Sequence, residues 1–169
     1  FSTEKSIQKK MPTKQLPIYS VKNAFFYAVI VLAYSGGLDT SVAIHWLMEK
    51  YDAEIITMTI DLGGNTSLEE ARKRAIDTGA KKAIVHDATA EFIENFVWPA
   101  LQAGALYEGI YPLATALGRP LIAEHLGRVA TEEGAFAIAH GCTGKGNDQV
   151  RFDVSTGALA PNLQVIAPA

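Results

Sequence analysis

The chain has 169 residues, 49% of them hydrophobic, which is enough for the core of one domain. Its formal net charge of -3 offers no basic footprint for a nucleic acid, and a single cysteine, Cys142, excludes an internal disulfide and fits a reducing cytoplasm. The longest apolar stretch, Ala24 to Ala33, is too short to span a bilayer.

Residues 1–27 carry Lys5, Lys9, Lys10, Lys14 and Lys22 with Pro12 and Pro17 between them, a composition that predicts a flexible or cloning-derived leader. A domain is expected over 28–169, and a start at Phe1 with an end at Pro168-Ala169 predicts a fragment. Val29 to Ala33 is a continuous apolar run, the pattern of a strand buried on both faces. It stops at Ser35-Gly36-Gly37-Leu38-Asp39-Thr40-Ser41, where a helix running to Tyr51 begins, with Ile44, Leu47, Met48 and Tyr51 at helical spacing. Glycines let backbone approach an anion, and the open N–H groups of a first helical turn point toward it. Ser35, Thr40 and Ser41 add hydroxyls, so this loop predicts a phosphate cradle.

Ile55 to Ile60 reads as a second strand, ending at Asp61 and the turn Gly63-Gly64-Asn65. Ser67 with Glu70 predicts a capping box, and Gly79 a helix stop. Ala83 to Val85 is a third strand, followed by a helix from Ala90 to about Leu101. Tyr107 to Leu117 shows no regular period. Beyond it a helix from Leu121 to Glu132 halts at Gly134, and Ala135 to Ala139 and Leu163 to Ile166 read as strands four and five. Alternation of this kind predicts an α/β fold, a doubly wound parallel five-stranded sheet in the order 3-2-1-4-5. That order sets the polar loops after strands one and four side by side, where ligands bind in such sheets.

Two common nucleotide fingerprints are missing. Gly144-Lys145 is followed by Gly146, which breaks the Walker pattern, and Gly144-Lys145-Gly146-Asn147-Asp148 continues with Gln149, which breaks the dinucleotide pattern. Ser-Gly-Gly-x-Asp-x-Ser after a strand instead resembles the pyrophosphate loop of the ATP pyrophosphatase superfamily, whose adenine nucleotide alpha hydrolase-like fold would suit the predicted sheet. A second run, His140-Gly141-Cys142-Thr143-Gly144-Lys145-Gly146-Asn147-Asp148-Gln149-Val150-Arg151-Phe152, reads as a polar loop after strand four. With it, and with Leu106 to Pro120 including Tyr107-Glu108-Gly109-Ile110-Tyr111-Pro112, the chain from Val31 to Pro168 resembles the argininosuccinate synthase family.

The resemblance implies a ligase of arginine biosynthesis and the urea cycle, cytoplasmic, which joins L-citrulline to L-aspartate through a citrullyl-adenylate with ATP and Mg²⁺. It implies ATP contacts from Ala33, Tyr34, Ser35, Gly36, Gly37, Leu38, Asp39, Thr40, Ser41, Ile60 and Gly141. Citrulline would meet Tyr111, Asn147 and Arg151; aspartate would meet Thr143, Asn147, Asp148 and Thr115. Asp148 would either take a proton from the aspartate amine or orient it, and both readings stay open. The partners implied are small molecules, with no nucleic acid or membrane, in a full-length homotetramer whose second domain lies outside this chain; the fragment alone would have little activity.

Asp39 could act through Mg²⁺ or cap its helix, Lys145 could meet phosphate or solvent, and Asp61 could serve as an acidic ribose ligand or, the favoured reading, as a strand-end turn residue. His45, His86, His125 and His140 show no metal-ligand spacing and read as structural, so no resident metal site is expected; Cys142 reads as a packing residue. Gly64, Ala116 and Asp153 depart from residues common in the family. Two other readings remain: another enzyme of the superfamily, or a nucleotide-binding module without catalysis.

Overall fold

The computed structural model describes residues 28–64 and 67–168; the leader expected over 1–27 lies outside them, as does Asn65 of the predicted turn. A parallel sheet is built from β1 (Ala28–Ala33), β2 (Ala53–Asp61), β3 (Lys82–Asp87), β6 (Ala137–His140) and β7 (Gln164–Ile166) in the order β3-β2-β1-β6-β7. In sheet strands alone this is the predicted 3-2-1-4-5. All four pairings are parallel, and the strands' carboxyl ends come into line, with Ala33 opposite both Met58 and His140.

The continuous apolar run of β1 follows from its central place. Ile30 and Leu32 pack on one face against Ala43, Ile44 and Leu47 of α1 (Leu38–Tyr51) and Ala71 and Ala75 of α2 (Leu68–Asp77). Val31 points to the other face, toward Leu126 and Val129 of α5 (Ala114–Glu132) and Phe152 of α6 (Asn147–Leu159). Each such fully buried Ile or Leu contributes about 1.5–3 kcal/mol by leaving water. Between β3 and α5 the chain forms α3 (Thr89–Phe92), a π-helical turn (Ile93–Val97) and α4 (Trp98–Gln102), then a two-stranded ribbon of β4 (Leu106–Tyr107) and β5 (Tyr111–Pro112).

Four local expectations are corrected. Ser67 holds the N-cap position of α2 but makes no side-chain cap bond, so the capping box does not form. The helix expected from Ala90 is interrupted by the π-helical turn. Pro120 does not precede a helix; it lies inside α5, which starts six residues earlier at Ala114. Lacking an N–H, Pro120 leaves the Ala116 carbonyl without its helical partner. Finally, of the run from His140 to Phe152 only Gly141 to Gly146 is a loop: His140 ends β6, and Asn147 to Phe152 open α6.

Candidate functional site

The loop after β1 is held in shape before any ligand arrives. Gly36 has φ +78, a left-handed conformation, and a Cβ there would stand 3.2 Å from that of Ala71. Thr59 on β2, buried, donates its hydroxyl to the Tyr34 carbonyl at 2.9 Å. Arg74 of α2 donates to the Gly36 carbonyl. Within the loop, Ser41 Oγ donates to the Gly37 carbonyl at 2.9 Å and lies 2.8 Å from the Tyr34 hydroxyl, while Ser35 Oγ lies 3.2 Å from Thr40 Oγ1. No side chain caps α1, so Asp39, exposed in its first turn, does not play the cap role and the helix N-terminus stays open toward an anion.

Beside it lies the loop after β6, because Ala33 and His140 are register partners. Gly141 passes so close to α1 that a Cβ would stand 2.9 Å from Thr40 Cγ2. Between the two loops is a cleft of ≈ 290 Å³, lined by Ala33, Tyr34, Ser35 and Thr40, by Ile60 at the end of β2, and by Gly141. Of the expected nucleotide residues these six share the cleft. Gly36, Gly37, Leu38, Asp39 and Ser41 do not line it; Gly36 and Gly37 belong to the turn and the other three to α1, with Leu38 pointing to solvent.

A second cleft, ≈ 520 Å³, opens on the far side of the Gly141 loop. Tyr111 from β5, Thr115 from α5, Thr143 from the loop and Asn147, Asp148 and Arg151 from α6 all line it. Every residue expected at the two amino-acid sites is therefore in one cavity. Asp148 sits in the first turn of α6, where a carboxylate is favoured by the helix dipole. Its Oδ1 accepts from Arg151 Nη1 at 2.5 Å and its Oδ2 from Arg119 Nε at 3.1 Å. Lys145 is exposed, has φ +63, and donates its backbone N–H to Gln149 Oε1 at 2.7 Å.

Arg119 carried no expected role, yet it lines both clefts, as do Gly141 and Cys142. A signal was present: it is the one charged residue in the stretch Leu113 to Ala123, next to Pro120. His140 and Phe152, also unassigned, stack at 4.8 Å in the floor of the first cleft. The Cys142 N–H donates to His140 Nδ1 at 3.3 Å, so the ring proton is on Nε2, which is buried without a partner among the described residues. Burial pushes the His140 pKa down, with Asp153 opposing and Arg119 adding to the effect. Burial also raises the Cys142 thiol pKa, which suits a packing residue rather than a nucleophile.

Spacing in the sequence hides one cluster that the fold assembles: ligand atoms of His86, Glu91 and His125 all lie within 4.8 Å of one another. Arg128 Nη2 donates to His125 Nδ1 at 2.7 Å, which leaves the ring proton on Nε2, 2.9 Å from Glu91 Oε2. A cation would have to displace that proton beside a guanidinium, so the group is a satisfied polar network. Asp61 accepts from the Gly63 and Gly64 N–H groups at 2.9 and 3.0 Å, which is the turn role. Among the described residues, no helix is long and apolar enough to cross a membrane.

The arginosuccinate synthase N-terminal HUP domain family matches residues 29–169. The chain is 59% identical over 140 residues to the argininosuccinate synthase of Dehalococcoides mccartyi, covering 83% of this chain and 34% of that protein. It is 60% identical over 139 residues to that of Chlorobium phaeobacteroides, covering 82% and 35% respectively. It thus spans about a third of the length of these relatives. A predicted subunit of tRNA methyltransferase from Methanocaldococcus jannaschii shares the fold, with TM-score 0.56 at 20% identity over 83% of this chain and 67% of that one. The glycine loop after β1, the adjoining polar cleft and these likenesses lead to one conclusion: the chain belongs to the argininosuccinate synthase family, matching its N-terminal HUP domain.

Proposed function

We propose that the full-length protein carrying this chain is an argininosuccinate synthase, a cytoplasmic ligase that joins L-citrulline to L-aspartate and releases AMP and pyrophosphate. The observation that carries this reading is the pair of clefts sharing one wall, a phosphate loop in the first and Tyr111, Asn147, Asp148 and Arg151 in the second. A ureido carbon resists attack because its oxygen leaves poorly. Adenylation of that oxygen makes it a good leaving group, and the work left to the protein is orientation and charge stabilisation. ATP binds along Ala33 to Ser41, with Ile60 beside the base and Gly141 against the nucleotide. Tyr111, Asn147 and Arg151 hold citrulline, Arg151 by a bidentate grip on its carboxylate. Thr143, Asn147, Asp148 and Thr115 hold aspartate. Asp148, with each oxygen already accepting from a guanidinium, orients the ammonium rather than serving as the base.

Mg²⁺ fits the residues present: Asp39 is an exposed carboxylate in the first turn of α1, free of any cap bond, and one or two carboxylates plus phosphates suffice for this ion. When bound, it supplies positive charge to the pyrophosphate. The substrates are small molecules, with neither nucleic acid nor membrane engaged, and the full-length protein works as a homotetramer. A domain beyond this chain completes the citrulline site, so the 169-residue chain binds ATP weakly and turns over poorly.

The test is pyrophosphate release by the full-length protein with citrulline and aspartate added singly and together. Argininosuccinate formation that requires both amino acids is expected; citrulline- and aspartate-independent ATP cleavage would overturn the reading. Wild-type turnover by the purified 169-residue chain would refute the fragment statement.

A further inference from the structure

Arg119 stands in the wall between the two clefts, facing Ser35 and Thr40 in one and Tyr111 and Asp148 in the other. Its Nε is tied to Asp148 Oδ2, and its guanidinium carbon lies 5.9 Å from the centroid of the Phe152 ring. These two contacts set the plane of the group from one edge and one face. Among the described residues its terminal amino groups have no protein acceptor, and the side chain is 32% exposed. Arg151 differs, because its Nη1 is already committed to the same carboxylate, which leaves it the Nε–Nη2 edge for a second anion. A guanidinium fixed on one side and open on the other is prepared for two parallel hydrogen bonds to a tetrahedral anion.

Resting on the ligase reading above, we propose that Arg119 binds the α-phosphate of ATP and holds its charge through both chemical steps. The α-phosphate is the one group that must face both cavities, since the nucleotide occupies the first and the attacking oxygen comes from the second. In the first step the citrulline ureido oxygen bonds to Pα, and the Pα–O bond to pyrophosphate breaks, its electron pair leaving with pyrophosphate. In the second, the neutral aspartate amine bonds to the activated carbon, the C–O bond breaks with its electrons passing to AMP, and the surplus nitrogen proton goes to water. Negative charge stays on the oxygens of Pα throughout, and a guanidinium that does not deprotonate balances it in both steps.

The experiment uses the full-length protein and follows ¹⁸O scrambling between the αβ-bridge and β-nonbridge positions of ATP with citrulline and without aspartate, which reports the first step alone. Arg119→Gln is expected to slow scrambling and product formation by about 100-fold while the KM for aspartate moves less than about threefold. Guanidinium ion added to Arg119→Ala should restore at least about tenfold of the lost rate. Scrambling within about threefold of wild type, or a loss confined to aspartate KM, would overturn the proposal and leave Arg119 a support for Asp148. If the Gln and Ala variants fail to fold by thermal melting, Arg119→Lys decides: a rate at least about tenfold down supports the role, an unchanged rate overturns it. If wild type shows no citrulline-dependent scrambling, the ligase reading fails, and AMP affinity by calorimetry decides for Arg119. A tenfold weaker affinity in Arg119→Gln is about what a lost bidentate contact costs, and equal affinity overturns the assignment.

Discussion

Asp148 is shared by two arginines from different helices: Arg119 of α5 reaches one carboxylate oxygen at 3.1 Å and Arg151 of α6 the other at 2.5 Å. The three side chains are about one-third exposed, so each pair is screened and contributes little alone. Their value is positional, because the Arg119 pair ties α5 to α6 where the second cleft opens and the Arg151 pair holds the carboxylate from within α6. Asp148→Ala is expected to weaken aspartate binding by at least about tenfold, to leave ATP affinity within about threefold, and to lower stability by no more than about 1 kcal/mol. Calorimetry with each substrate, and a thermal melt, check the three numbers together. A parallel loss of ATP affinity would show that Asp148 serves the nucleotide cleft instead.

Gly141 and Thr40 form a pair that can be tested for coupling. Gly141→Ala puts a methyl 2.9 Å from Thr40 Cγ2 and forces the β6 loop away from α1. The expected cost is about 1–3 kcal/mol of stability and a clear loss of ATP affinity. Thr40→Ser removes the obstructing methyl and keeps the hydroxyl, so Gly141→Ala/Thr40→Ser should recover most of both. Additive single-variant effects in the double-variant cycle would mean the clash is not the cause.

Thr59 supports the loop after β1 from beneath. Its buried hydroxyl is bonded to the Tyr34 carbonyl, and Thr59→Val keeps the shape but orphans that carbonyl. A loss of about 1–3 kcal/mol is expected by urea titration, with ATP affinity falling because the loop loosens. Unchanged stability would show that water satisfies the carbonyl.

His140 makes stability depend on pH. Its folded pKa is pushed down by burial, so below the ordinary value of 6.5 the unfolded chain binds a proton that the folded one refuses. Stability from this group is full above 6.5 and is lost as pH falls through 6.5 toward the folded value, at most about 1.4 kcal/mol per pH unit. His86, lowered by burial and by His125 and Arg128, adds in the same direction. Melting curves from pH 5 to 8 should therefore be flatter for His140→Asn than for wild type; identical slopes would remove His140 from the account.

The sheet and both loops were legible because buried parallel strands are apolar on both faces and because small and polar residues cluster where a strand ends and the chain turns into a helix. Val29 to Ala33 and Ser35 to Ser41 carry those signals plainly. The start of α6 did not, since Asn147-Asp148-Gln149 is as polar as a loop and its helicity comes from packing Phe152 onto the core. Pro120 concealed the first turns of α5, where tertiary packing at Gly118, with Leu62 and Phe92 against it, outweighs one lost hydrogen bond. The His86, Glu91 and His125 group was illegible for another reason: its members come from three elements that meet only in the folded state. Arg119 was visible as a residue and silent as a function, because nothing local tells that it faces two cavities.

The pairing of β1 with β6 has a consequence for how the molecule is made. Ile30 must wait for Ala137, more than a hundred positions downstream, whereas its partner on the other side, Ile55, is at hand early. While the chain emerges from a ribosome, β1, β2 and β3 can join, but the second edge of β1 stays an open row of amide and carbonyl groups on a strongly apolar strand. The strand that later closes that edge also brings the wall between the two clefts. Closing the aggregation-prone edge and walling the two clefts are thus one late kinetic event, and a chain halted before Ala137 has neither.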